Sequence, residues 1–171
     1  MTFDAQGGIA PNPAGKSATY DAAYGSLATT TRTGYTLAGW WMEAGGTGTE
    51  VTAATVVAIA GNHTLFAKWT ANSYTVSFNA QGGYAPNPIS TSATYGETYG
   101  PLATTTHTGY SFAGWWTGAD GTGTEVTTAL MMAMAADHIL YAKWTGNSYS
   151  VAFDAPRRHR AEPGRQERDL R

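Results

Sequence analysis

Gly109-Tyr110-Ser111-Phe112-Ala113-Gly114-Trp115-Trp116 is the stretch whose reading decides the fold, and Gly34-Tyr35-Thr36-Leu37-Ala38-Gly39-Trp40-Trp41 is its twin 75 residues earlier. Tyr110 and Phe112 alternate with small residues, the period of a strand that buries one face. A glycine inside such a run marks a bulge, and a bulge at Gly114 brings Trp115 onto the face of Phe112. Downstream, Asp120-Gly121-Thr122-Gly123 reads as a turn. Ile139-Leu140-Tyr141-Ala142-Lys143-Trp144 then reads as a closing strand, with Leu140, Ala142 and Trp144 pointing one way. Upstream, Tyr74-Thr75-Val76-Ser77-Phe78 alternates in the same manner and opens the unit. Gln81-Gly82-Gly83 and the Pro86-Asn87-Pro88 loop follow, where proline denies a ladder its donors. Ser92–Gly96 fits a short second strand. Residues 129–136, with Met131, Met132 and Met134, favour helix, whereas the counterpart 54–59 favours strand. One backbone must serve both, so a short turn or helical stub is expected there.

The whole unit occurs twice. Residues 1–75 lie over 76–150 without a gap, and 47 of the 75 positions are identical. A third copy opens at Asn147-Ser148-Tyr149-Ser150-Val151-Ala152-Phe153-Asp154. A period of 75 exceeds the ~20–50 residues of a solenoid repeat and suffices for a small domain with its own core. The expected organisation is module 1 over 1–70, with its first strand truncated, and module 2 over 71–145. The start of a third module follows at 146–154, then a tail over 155–171. Only Ala71-Asn72-Ser73 joins the two modules, and so short a joint favours an extended array over a compact pair.

Composition narrows the function. The chain has no cysteine, so neither disulfides nor thiolate chemistry is available. With 12% aromatic residues and six Trp, it has ample surface to bury. No apolar run is long enough to span a membrane. Residues 1–154 carry four basic against nine acidic side chains, a poor basis for phosphate contacts, so no nucleic-acid partner is expected. Gly15-Lys16-Ser17 echoes a phosphate-binding loop, but Ala10 stands where that motif needs glycine. His63 and His138 recur, each without a second ligand at metal spacing. Asp4 becomes Asn79 and Arg32 becomes His107, so neither position holds a required acid, base or anion clamp. Glu50 and Glu125 recur without the partner carboxylate of a glycosidase pair. The Asn62-His63-Thr64 sequon is lost in the second copy. No catalytic residue, metal or cofactor is expected, and nothing points to a homo-oligomer. Trp40, Trp69, Trp115 and Trp144 are expected in the cores. Trp41 and Trp116 are the candidate partner surface, against packing under the proline-rich loop or a neighbouring module.

Tyr74-Thr75-Val76-Ser77-Phe78-Asn79-Ala80-Gln81-Gly82-Gly83, Thr108-Gly109-Tyr110-Ser111-Phe112-Ala113-Gly114-Trp115-Trp116 and Leu140-Tyr141-Ala142-Lys143-Trp144 together resemble the internalin B-repeat, or Listeria–Bacteroides repeat. The resemblance spans residues 1–145. It implies a mainly β (α+β) fold built of tandem small β-grasp, ubiquitin-like modules, with first and last strands side by side in the sheet centre. It also implies a secreted or cell-surface microbial protein in which the modules act as a non-catalytic stalk or spacer and as an adhesion surface. Partners would then be surface proteins or glycans of host or neighbouring cells. The alternative is a carbohydrate-binding module that stacks sugar on Trp41 and Trp116.

The tail has a separate explanation. Residues 5–20, encoded in GC-rich codons and read with one extra C, would give Ala-Pro-Arg-Arg-His-Arg-Ala-Glu-Pro and the run that follows it in the tail. Residues 155–171 are therefore expected to be a frameshifted third repeat, disordered and dispensable, with its six Arg a by-product of the frame. Met1 takes the place of Val76, and no signal peptide precedes it, so the chain reads as an internal fragment.

Overall fold

The computed structural model describes residues 1–154; the expectations for 155–171 lie outside them. Nine strands form: β1 Thr2–Asp4, β2 Tyr35–Glu43, β3 Thr47–Val51, β4 Thr64–Ala71, β5 Ser73–Asn79, β6 Ser90–Thr94, β7 Tyr110–Trp116, β8 Glu125–Val126 and β9 His138–Gly146. Two 3-10 turns, Ala44–Gly46 and Ala119–Gly121, sit at equivalent hairpins. The described residues contain no α-helix.

The strands make two mixed sheets, ordered β1-β4-β2-β3 and β6-β5-β9-β7-β8, each drawn from one copy. In both, the closing strand runs parallel to its own copy's opening strand: Phe3 pairs with Leu65 and Phe78 with Leu140. The closing strand is antiparallel to the Trp-Trp strand on its other side. The two copies differ at one edge. β5 lies between β6 and β9, as the resemblance implies, but β1 is an edge strand. Met1 holds the register place of Val76, so residues 16–19 find no strand opposite them, and only the Thr2–Gly15 bridge remains of that pairing.

Each sheet covers its own core. In the first copy Phe3, Tyr24, Trp40, Val51, Val57, Leu65 and Ala67 pack together; in the second, Val76, Phe78, Tyr99, Trp115, Val126, Met132, Leu140 and Ala142 do so. The alternation of β9 follows from this, since Leu140 and Ala142 are buried while their neighbours are not. Residues 129–136 contain no helical stub. A turn closed by the Leu130 amide on the Thr127 carbonyl is followed by an extended segment. That segment delivers Met132, as 54–59 delivers Val57, into the core. Both Val and Met fit there because one buried side chain, not a helical face, is what the position requires. After β9 the opening of the third copy adds to no sheet, and Tyr149, Val151 and Phe153 are exposed.

Candidate interaction surface

A bulge precedes each Trp-Trp pair and sets which of the two faces the core. In β7 the register skips between Phe112 and Trp115, and in β2 between Leu37 and Gly39. Gly114 (φ 112°) and Gly39 (φ 147°) take up the extra residue in a region that side chains avoid. Phe112 faces Trp144 and Trp115 faces Ala142, so one side of the sheet holds all four. Trp40 and Trp115 enter the cores at 2% exposure. Their Nε1 groups donate to the carbonyls of Ala28 (3.0 Å) and Ala103 (2.8 Å). Trp69 and Trp144 are half-buried against the cores and donate to Ala5 and Ala80, both at 2.7 Å.

Trp41 and Trp116 are left on the opposite face, and both are half-buried. The Lys68 ammonium lies 4.8 Å from the Trp41 ring centre, and that of Lys143 lies 4.3 Å from Trp116. Glu50 and Glu125 are their cross-strand partners. A carboxylate, an indole and an ammonium thus stand in a row at the same place in each module. Cation–π contacts of this partly exposed kind contribute about 0.5–1 kcal/mol. The buried Trp116 Nε1 has no hydrogen-bond partner among the described residues.

Beside each row lies a shallow cleft. Gln6, Arg32, Gly45, Ala67, Lys68 and Trp69 line about 270 Å³ in the first copy. Gln81, Asp120, Ala142, Lys143 and Trp144 line about 190 Å³ at the equivalent place in the second. Both are smaller than the ~300–1,000 Å³ of ordinary small-molecule sites. Their polar groups are already engaged with one another: Gln6 Oε1 accepts from the Gly45 amide at 3.3 Å, and Gln81 Oε1 from the Asp120 amide at 3.4 Å. Each glutamine stands at φ 48° in a tight turn. Its amide donates to Asp4 Oδ1 (2.8 Å) or Asn79 Oδ1 (2.9 Å). The turn needs only an oxygen, which explains why aspartate and asparagine exchange there.

His63 and His138 have a task that the sequence reading missed. Tyr24 Oη lies 2.8 Å from His63 Nε2, and Tyr99 Oη 3.0 Å from His138 Nε2. The Nδ1 atoms face the carbonyls of Gly61 (2.9 Å) and Ala136 (3.0 Å). With Nδ1–H donating to the carbonyl, Nε2 accepts from the phenol and satisfies a buried hydroxyl. Burial raises the pKa of both phenols above 10.0. The signal was present in the recurrence of tyrosine and histidine 39 residues apart in both copies. Among the described residues no three His, Cys, Asp or Glu side chains form a metal-binding group.

The joint between the copies is ordered around one residue. The Asn72 amide donates to the Gly34 carbonyl at 2.9 Å, and its Oδ1 accepts from Thr36 Oγ1 at 2.7 Å. Its carbonyl accepts from the Tyr95 amide at 2.9 Å, and its Nδ2 donates to Tyr74 Oη at 3.4 Å. Two contacts thus reach back into copy one and two forward into copy two. The Tyr35 and Tyr95 rings meet edge to face with centres 5.6 Å apart. Tyr95 also lies directly on the Gly34 backbone, so close that a Cβ there would enter the ring.

The model of the Listeria-Bacteroides repeat domain matches residues 1–68 and 74–143. A protein of Evansella cellulosilytica named "Putative membrane protein" is 34% identical over 150 residues, which are 85% of this chain and 22% of that protein. A second from the same organism, "Putative Gly-rich membrane protein", is 36% identical over 97 residues, covering 57% of this chain and 11% of its own length. Internalin H of Listeria monocytogenes is 34% identical over 117 residues, covering 68% of this chain and 20% of its own. The chain therefore spans about a fifth or less of these relatives.

Proposed function

The chain belongs to the Listeria-Bacteroides repeat domain family, and from that premise we propose that it acts as a non-catalytic spacer, two modules of a longer stalk on a microbial cell surface. The observation that carries this is the joint. A single linking residue with two contacts on each side, packed beneath a tyrosine pair, favours a fixed orientation between modules. A spacer needs that property, since a freely hinged chain of the same length reaches less far. Relatives named as membrane proteins and as an internalin support the surface address. We also read each module as a β-grasp unit without its helix. The order β6-β5-β9-β7-β8, with a parallel central pair, supports this.

Trp41 and Trp116, with Glu50, Lys68, Glu125 and Lys143, form the surface proposed to meet a partner. The geometry favours a protein partner over a sugar, because the lysine ammonium occupies the ring face on which a sugar would stack. The spacer reading is tested with labels at Ala54→Cys and Ala129→Cys, equivalent exposed positions in a chain otherwise free of cysteine. A single narrow distance distribution is expected. A broad one, unchanged by removing the Tyr95 ring, overturns the reading.

A further inference from the structure

Each half of the joint at Asn72 occurs once more, one at the outer end of either module. Beyond β9, the Asn147 amide donates to the Gly109 carbonyl at 2.9 Å, Ser111 Oγ donates to Asn147 Oδ1 at 2.7 Å, and Asn147 Nδ2 donates to Tyr149 Oη at 3.4 Å. These repeat the contacts of Asn72 with Gly34, Thr36 and Tyr74 nearly to the tenth of an ångström. Gly109 (φ 81°) has the conformation of Gly34 (φ 78°). The difference lies in what rests on them. Gly34 is buried beneath Tyr95, whereas nothing among the described residues stands within 4 Å of a Cβ placed on Gly109. Tyr110, the counterpart of the half-buried Tyr35, is 46% exposed. At the other end Tyr20, the counterpart of Tyr95, is 61% exposed. Asp21 (φ 62°) continues the turn that Gly96 (φ 80°) makes after Tyr95.

We propose that the Gly109–Tyr110–Asn147 shelf and the Tyr20 face are the two halves of a module-to-module docking surface, whose occupant is a further repeat module of this kind. A Tyr20-type ring would sit on a Gly109-type backbone, edge to face with a Tyr110-type ring, while the backbone amide of the Tyr20-type residue donates to the Asn147-type carbonyl. The argument rests on continuity with the interface already formed at Gly34, Tyr35 and Tyr95. Such an interface is head-to-tail, each module offering one half at each end, so it can be repeated along an array. The inference goes beyond the spacer reading, because it assigns these end faces to modules and not to a foreign partner.

The test is hydroxyl-radical oxidation read by mass spectrometry at each tyrosine. It uses the full chain and an in-frame duplication in which residues 1–147 are followed by residues 73–171. In the full chain Tyr35 and Tyr95 should oxidise several-fold more slowly than Tyr20 and Tyr110. In the duplication the Tyr110 peptide, present twice, should lose about half of its oxidation, because the internal copy is covered as Tyr35 is while the terminal copy stays open. Gly109→Ala in the internal copy should restore that half, as Gly34→Ala in the full chain should restore oxidation of Tyr35. Equal rates for all four tyrosines in the full chain would overturn the proposal without need of the duplication. So would a Tyr110 peptide whose oxidation is undiminished in the duplication while Tyr35 stays protected, a result that leaves the spacer reading standing.

Discussion

Gly8→Ala should destabilise the first module although glycine is not required there for its backbone angles. A Cβ at Gly8 would stand 2.6 Å from Trp69 Cζ2, and 3.0 Å from both Thr30 Oγ1 and the Thr31 carbonyl. Carbon atoms in contact ordinarily sit at ~3.5–4.0 Å, so the methyl intrudes by about 1 Å. The indole has little freedom to retreat, because its Nε1 donates to the Ala5 carbonyl at 2.7 Å. Overpacking of this kind costs about 1–3 kcal/mol, offset by the ~0.4–1 kcal/mol that alanine recovers by stiffening the unfolded chain. A net loss of about 1–2 kcal/mol corresponds to a melting point lower by roughly 4–15 °C for a domain of this size. Hydrogen exchange resolved by peptide would assign the loss to residues 1–71. Gly61→Ala is the control, since nothing lies within 4 Å of its Cβ, and it should be neutral or slightly stabilising. Adding Trp69→Phe, which removes Cζ2, should recover part of the Gly8→Ala loss. If Gly8→Ala melts with Gly61→Ala, the close approach of glycine to indole is not what the position is for, and the reasoning fails.

Four further outcomes are expected. The Tyr24 and Tyr99 phenols hold their protons more tightly folded than unfolded, so their contribution to stability is intact below pH ~10 and is lost as pH rises through that value toward the folded pKa. Alkaline melts should show the decline, and Tyr24→Phe with Tyr99→Phe should flatten it. Residues 1–72 expressed alone should melt below residues 71–146, because β1 is an edge strand where β5 is flanked on both sides. Asp4→Asn should leave stability within about 0.5 kcal/mol, as a surface change that keeps the turn's oxygen, whereas Asp4→Ala should loosen the turn at Gln6 in hydrogen exchange. Lys143→Ala should cost about 0.5–1 kcal/mol through the lost cation–π contact, and should increase quenching of Trp116 fluorescence by acrylamide.

Much of the architecture was legible before any coordinates. The offset of 75 residues pointed to two equivalent copies, and each copy forms its own sheet. The alternation in Tyr74–Phe78 and in Ile139–Trp144 located the opening and closing strands, and Gly114 inside an apolar run located the bulge. These features are local: a period of two and a residue without a Cβ act on the backbone where they stand. The tertiary structure decided the rest, because it depends on what meets across the sheet. Nothing in two adjacent tryptophans says which will be buried; the bulge sent Trp115 inward and left Trp116 to the side chain of Lys143. Residues 129–136 were ambiguous, because methionine and alanine favour helix where the equivalent 54–59 favours strand; the core settled it by taking Met132 alone from a turn and an extended segment. His63 and His138 looked idle because their partners, Tyr24 and Tyr99, are 39 residues away. Asn72 looked like one residue of a short linker, and its role arises only when four groups from two folded modules converge on it. Contacts between residues distant along the chain have no local signature, since each side is free to take other partners until both modules have folded.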